Sequence, residues 1–178
     1  MSELEFQRCL KEISNGKKEY LKIIYDYYGH TIYSYSLSII KCENLAKDIC
    51  QDVFIKIWNN SSKYKSKSNH KNWMMTITKN TAIDYLRKYK REEIVEEFNI
   101  IDDEDMMEDI NQKILIKEAL NLLNDEEREI VILHAISDLT FKNIGEILNK
   151  PIGTVTWRYR EAIKKLRSKV DYRENSYE

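Results

Sequence analysis

One proline and four glycines serve all 178 residues, too few for the frequent turns of an all-β fold. Three cysteines, Cys9, Cys42 and Cys50, form no Cys-x-x-Cys pair, which argues against a zinc site and a disulfide framework. The longest apolar run, Ile130 to Leu133, falls far short of the roughly 20 residues of a membrane span. The N-terminal MSELEFQRCLKEI is charged throughout where a signal peptide has an apolar centre. His30, His70 and His134 are scattered, and neither a glycine-rich phosphate loop nor a Ser/His/Asp spacing occurs. His134, inside IVILHAI, reads as a core or boundary histidine. These absences lead us to expect a cytoplasmic protein that is not an enzyme, takes no metal or cofactor, and does not insert into a membrane.

What is present is a core and a segregated charge. Hydrophobic residues make up 42% of the chain, enough to fold. Tyrosine is abundant at twelve residues, and such rings serve both cores and nucleic-acid surfaces. The net charge of −1 conceals three blocks. Residues 60–91 carry nine Lys/Arg against one acid, Asp84; residues 92–109 carry ten acids and no base; residues 150–170 carry seven Lys/Arg against Glu161. Two basic blocks around an acidic one suggest a polyanion partner.

Periodicity predicts helices with no strand alternation. Residues 17–41 place Leu21, Ile24, Tyr28, Ile32 and Tyr35 three or four apart, with Gly29 inside the pattern. In NLAKDICQDVFIKIWNN, Leu45, Ile49, Val53 and Ile57 form one stripe behind an Asn44 N-cap. Residues 61–70, SSKYKSKSNH, read as a basic loop. The following helix, KNWMMTITKNTAIDYLRKYKR, is expected to bury Trp73, Ile77, Ile83 and Leu86. Beyond the acidic stretch, helices are predicted over 110–123, over 126–137 with Asn124 or Asp125 as cap, and over FKNIGEIL opened by Thr140. The expected fold is all-α: a helical domain over 1–91, an acidic linker over 92–109, and a four-helix domain over 110–178.

The single proline, Pro151, follows FKNIGEILNK and precedes a helix rich in Arg and Lys. Proline forces its predecessor out of helical space, so one helix stops before it. Thr154, or Gly153 with Thr154 behind it, is expected to start the next after a turn of about four residues. Ile144, Leu148, Ile152 and Val155 would supply the apolar contacts, and Gly145 the close approach where the helices cross. This is the spacing of a helix-turn-helix. Its second helix would project Thr156, Trp157, Arg158 and Arg160 toward base edges, with Lys164, Lys165 and Arg167 toward phosphates. By turn chemistry alone, an αα-hairpin with a solvated basic face fits as well.

Three segments together go further. AKDICQDVFIKIW, NWMMTITKNTAIDYLRKYKR and LNDEEREIVILHAISDLTFKNIGEILNKPIGTVTWRYREAIKKLR resemble, in order, the conserved regions of the extracytoplasmic-function (ECF) sigma factors of bacterial RNA polymerase, minimal two-domain members of the sigma-70 family. The resemblance implies a region 2-like bundle and a region 4-like helix-turn-helix, with core RNA polymerase and promoter DNA as partners, and it leaves room for an anti-sigma factor. It assigns Asp48, Gln51 and Asp52, flanked by Phe54 and Trp58, to the clamp helices of the polymerase β′ subunit. It assigns Asn80, Asp84 and Arg87, accompanied by Lys71, Lys79 and Lys88, to the −10 element. Tyr64 in the basic loop becomes a stacking partner for a flipped base, since stacking offsets the cost of exposing it. Asp84 can instead pair with Arg87 or Lys88 along the helix. The −35 element and the β flap fall to the last segment, with Thr154, Thr156, Trp157, Arg158, Arg160, Glu161, Lys164 and Lys165 as its candidate DNA contacts. Glu161 could accept from a cytosine or pair with Lys164 or Lys165. Relatives carry other residues at Thr156, Trp157 and Glu161, so base contacts do not transfer one by one. Alanine is usual at Gly145, an exchange expected to be tolerated.

The rival reading is a helix-turn-helix regulator that never joins the polymerase. It would need no polymerase-binding face, and it leaves the basic block before the acidic linker without a purpose.

Overall fold

The computed structural model describes residues 1–65, 69–89 and 118–174, with side chains to residue 168. The expected linker over 92–109, the start of the helix expected at 110 and the centre of the basic loop lie outside the described residues. The chain divides into two compact units, Met1–Phe98 and Asn99–Glu178. Among the described residues all regular structure is helical.

The first unit holds α1 (Glu3–Ser14), α2 (Glu19–Ile40), α3 (Glu43–Asn59), a 3₁₀ turn (Ser61–Lys63) and α4 (His70–Tyr89). Helix α2 is central and packs against the other three. Helix α1 was hidden by its charges. Phe6, Cys9, Leu10 and Ile13 still form a buried stripe at helical spacing, and Ser2 and Glu5 close a capping box at its start. Gly16, in the turn that follows, has φ +86°, a conformation that suits glycine. Ile24, Tyr28, Ile32 and Tyr35 are buried from α2, and Ile49, Val53 and Ile57 from α3. Leu45 is half-buried while Ala46 is fully buried.

Two expectations for this unit need correction. Asn44 does not cap α3. Cys42 takes that position with extended backbone and no side-chain capping bond, because the left-handed Lys41 ends α2 only two residues before α3 begins. The buried face of α4 is not Trp73, Ile77, Ile83 and Leu86, all half-exposed, but Met74, Met75, Thr78, Thr81 and Ala82. Thr78 and Thr81 donate their hydroxyls to the carbonyls of Met74 and Ile77. That satisfies the polar atoms and leaves the methyl groups for packing.

The second unit holds a helical turn at 118–121, then α5 (Asp125–Ala135), α6 (Phe141–Leu148) and α7 (Ile152–Glu174). Asn124 caps α5 and exchanges bonds with Glu127, while Thr140 caps α6. Ile130, Leu133, Leu139, Ile144 and Val155 are buried. Arg128 is buried too, its guanidinium donating to the carbonyls of Leu120 and Leu123 and to Asp125. It thereby satisfies carbonyls that the preceding helical turn leaves open.

Candidate nucleic-acid interface

On α3, Asp48, Gln51 and Asp52 occupy one helical face with Ile55. Asp48 and Gln51 are exposed; Asp52 is half-buried and accepts from Tyr85 Oη at 2.8 Å. One turn on, Lys56 Nζ donates to Thr81 Oγ1 at 2.9 Å. Residues 52 and 56 of α3 therefore fasten α4 at 85 and 81. The Tyr85 phenol is pushed up to about 12 by burial and by the Asp52 carboxylate it donates to. Phe54 is only 5% exposed and lies beneath the Tyr25 ring, 5.1 Å between centroids. It supports this face from inside; the exposed apolar residues here are Tyr25 and Ile55. Trp58 is half-buried.

Helix α4 turns Asn80, Asp84, Arg87 and Lys88 to solvent on one face, since residues four and seven apart share a side. Asp84 and Arg87 approach to 3.7 Å, an exposed pair that contributes little to stability. Lys88 lies over the Tyr89 ring at 5.1 Å. Lys71 and Lys79 are half-buried at its flanks. Tyr64 does not stand free at the loop. Its ring meets Phe6 and Trp73 edge-on, and its hydroxyl donates to Glu3 Oε1 at 2.6 Å.

That contact opens a constellation that sequence reasoning missed. Glu3 also accepts from the His70 backbone at 3.1 Å and lies 2.6 Å from His70 Nδ1, while His70 Nε2 lies 2.6 Å from the Tyr28 hydroxyl. Burial would raise the Glu3 carboxyl, but hydrogen bonds from Gln7, Tyr64 and His70 hold it down to about 2. His70, placed by its sequence in a basic loop, is a buried residue stacked on Phe6. Glu3 stands more than sixty positions from Tyr64 and His70, so no local pattern could have signalled those contacts.

In the second unit the turn between α6 and α7 is three residues long. Asn149 ends α6 in the left-handed conformation (φ 54°), which asparagine tolerates. Helix α7 starts at Ile152, ahead of Gly153 and Thr154. Proline has no N–H to lose at a helix start, and the Pro151 carbonyl accepts from the N–H groups of Thr154 and Val155 at 3.0 and 3.1 Å. Ile152 is 56% exposed, and so it does not join the packed contact. Gly145 works at the turn rather than at a helix crossing. Its carbonyl accepts from the Lys150 N–H at 2.9 Å, and a Cβ there would sit 2.7 Å from the Lys150 carbonyl oxygen. Glycine fits this turn, whereas an added methyl group would force the backbone to shift.

The expected −35 residues divide into two groups. Trp157, 58% exposed, and exposed Arg160 and Lys164 line one outward face of α7. Arg158 points back: its side chain is 30% exposed, with Nε 2.6 Å from Glu126 Oε2, and Lys150 bonds the other Glu126 oxygen. Those two cations, the Lys150 bond foremost, depress the Glu126 carboxyl. Lys165, expected to reach phosphate, instead places Nζ 2.7 Å from both oxygens of the buried Glu127. Glu161 pairs with Lys164 at 2.7 Å. Thr156 donates to the Ile152 carbonyl, and Thr154 is half-buried at the start of the helix. His134 is held as a boundary residue, its Nδ1 2.8 Å from the Leu139 carbonyl and its ring between Phe141 and Tyr159.

A polar face on α3, a basic face on α4 and a helix-turn-helix thus occur in one chain. Residues 24–92 match sigma-70 region 2, and residues 119–168 match sigma-70 region 4. The chain belongs to the ECF sigma factors of the sigma-70 family. It is 28% identical to the ECF RNA polymerase sigma factor SigW of Bacillus subtilis (strain 168), over 92% of this chain and 97% of that one. SigM of the same organism is also 28% identical, over 80% and 92%. Among solved structures, the sigma factor RpoE of Bartonella quintana, in complex with the anti-sigma factor NepR, superposes with a TM-score of 0.72 at 23% identity, covering 87% of this chain and 98% of that one. At that identity the likeness is one of fold. This ECF sigma factor has no helix, among the described residues, long and apolar enough to cross a membrane, and no group of residues there that could hold a metal ion.

Proposed function

We propose that this chain is an alternative sigma factor that binds core RNA polymerase and directs initiation at its own promoters, with its work divided among three helices. Asp48, Gln51 and Asp52 on α3, bordered by Ile55 and Trp58, face the β′ clamp helices. Asn80, Arg87 and Lys88 on α4, with Lys71, Lys79 and Tyr64 behind them, meet the −10 element, and Asp84 orients Arg87. Trp157, Arg160 and Lys164 on α7 meet the −35 element, while Arg158 and Lys165 hold that helix on α5. The chain acts without catalysing a reaction, where the polymerase works, in the cytoplasm. The division of the chain into 1–91, 92–109 and 110–178 belongs to the same proposal, as do the β flap as a second polymerase contact and an anti-sigma factor, of the kind that accompanies RpoE, as a further partner.

One observation carries this reading: the polar face of α3 and the basic face of α4 belong to a single unit and are fastened by Asp52–Tyr85 and Lys56–Thr81. A regulator that never joins the polymerase has no use for that pairing. The test is run-off transcription on genomic fragments with purified core polymerase, with and without this protein. Transcripts that start at new, discrete positions only in its presence are expected. Their absence, together with failure to co-purify with core enzyme, would refute the proposal.

A further inference from the structure

Glu3 is not the residue that caps its own helix. The start of α1 is capped without it, since Ser2 Oγ accepts from the Glu5 N–H and Glu5 accepts from the Ser2 N–H. Docking of α1 rests mainly on Phe6, Cys9, Leu10 and Ile13, which bury its apolar stripe. The Glu3 side chain instead sends one oxygen to each end of the 64–70 segment. Oε1 accepts from the Tyr64 hydroxyl at 2.6 Å and from Gln7 Nε2 at 3.0 Å. Oε2 accepts from the backbone N–H of His70, the first residue of α4, at 3.1 Å, and from His70 Nδ1 at 2.6 Å. His70 Nε2 lies 2.6 Å from the Tyr28 hydroxyl, so the ring is held from both sides and stacked on Phe6 at 4.8 Å.

Glu3 also lies outside the 24–92 stretch that matches region 2. Charge-assisted bonds from an ionised acceptor are the stronger kind, and a surface whose parts are fixed in advance binds without first ordering them.

We infer that Glu3 is a positioning residue for promoter opening: its carboxylate fixes Tyr64 relative to the N-terminus of α4, so that Tyr64, Lys71 and the exposed face of α4 meet the −10 strand as one preformed surface. The inference rests on the assignment of that face to the −10 element. Removing the anchor should blunt −10 reading while leaving polymerase binding and −35 reading intact.

The test uses holoenzyme assembled from core polymerase and full-length protein, on a promoter found by run-off mapping and on its single-base −10 and −35 variants. Glu3→Gln keeps the size, but its amide nitrogen cannot accept a hydrogen bond. Discrimination among −10 variants should fall roughly tenfold, the scale of a lost hydrogen bond to a charged group, with core affinity and −35 discrimination unchanged. A purely structural role would lower all three together, and that result would overturn the inference, as would unchanged −10 discrimination. Tyr64→Phe removes one of the Glu3 contacts and keeps the ring. It should reproduce part of the effect, and the double variant should do no worse than Glu3→Gln alone. If Glu3→Gln does not fold, Tyr64→Phe decides: narrowed −10 discrimination supports the inference and unchanged discrimination overturns it. Wild-type holoenzyme that initiates nowhere would instead overturn the reading on which the inference rests.

Discussion

The Tyr85 hydroxyl reaches Asp52 Oδ2 at 2.8 Å, so a carboxylate on the face assigned to polymerase also anchors the helix assigned to DNA. Charge reversal therefore has different consequences at neighbouring positions. Asp48→Lys should weaken binding to core polymerase and leave thermal stability unchanged. Asp52→Lys should weaken binding and also destabilise the first unit by about 1–2 kcal/mol through the lost bond. Affinity for core enzyme and thermal unfolding, measured on both variants, check the difference.

Acid should loosen α1 from the loop and from α4. The Glu3 carboxyl is lowered from its usual 4.5 to about 2 in the folded chain. A depressed carboxyl contributes stability that is fully present above about 4.5 and is lost as pH falls toward about 2. Water reaches part of this side chain, so the contribution should be only about 1–2 kcal/mol. Thermal melts at several pH values should show wild type more stable than Glu3→Gln near neutrality, with the gap closing between about pH 4.5 and 2.

Gly145→Ala should destabilise the helix-turn-helix. The added methyl group would lie 2.7 Å from a backbone oxygen, and backbone cannot swing aside as a flexible side chain can. Overpacking of this kind costs roughly 1–3 kcal/mol. A lower unfolding midpoint is expected, together with weaker binding to −35 DNA.

The two arginines of α7 should separate by mechanism. Arg160→Ala should leave the fold intact and weaken DNA binding by about 1–3 kcal/mol if it meets a base. At a phosphate it should instead reduce the salt slope by about one for all sequences. Arg158→Ala should act first on stability, because it strips Glu126 of one of its two cations. Unfolding curves and salt titrations of both variants distinguish these effects.

Much of this was legible from residue patterns because the signals are local. Apolar spacing located α2 and α3, Asn124 was one of two residues expected to cap α5, and Pro151 marked the turn. The face of α4 was misread because threonines that bond their own helix backbone pack like apolar residues, while Trp73 and Leu86 stay half-exposed. Arg158 and Lys165 were expected to reach DNA, yet their partners, Glu126 and Glu127, sit on another helix. Glu3 meets His70 across 67 positions, a distance at which only the folded chain supplies the proximity.

The three cysteines have a practical consequence. Cys9, Cys42 and Cys50 are all buried in the first unit, and burial pushes the Cys50 thiol up to about 11. Only a thiolate reacts readily with maleimides, so the native thiols should stay unlabelled under mild conditions. A dye pair attached through Ser14→Cys and Ser168→Cys, both at exposed positions, would then report the separation of the two units by energy transfer in an otherwise native chain. The same two dyes could follow that separation, in real time, as core polymerase is added.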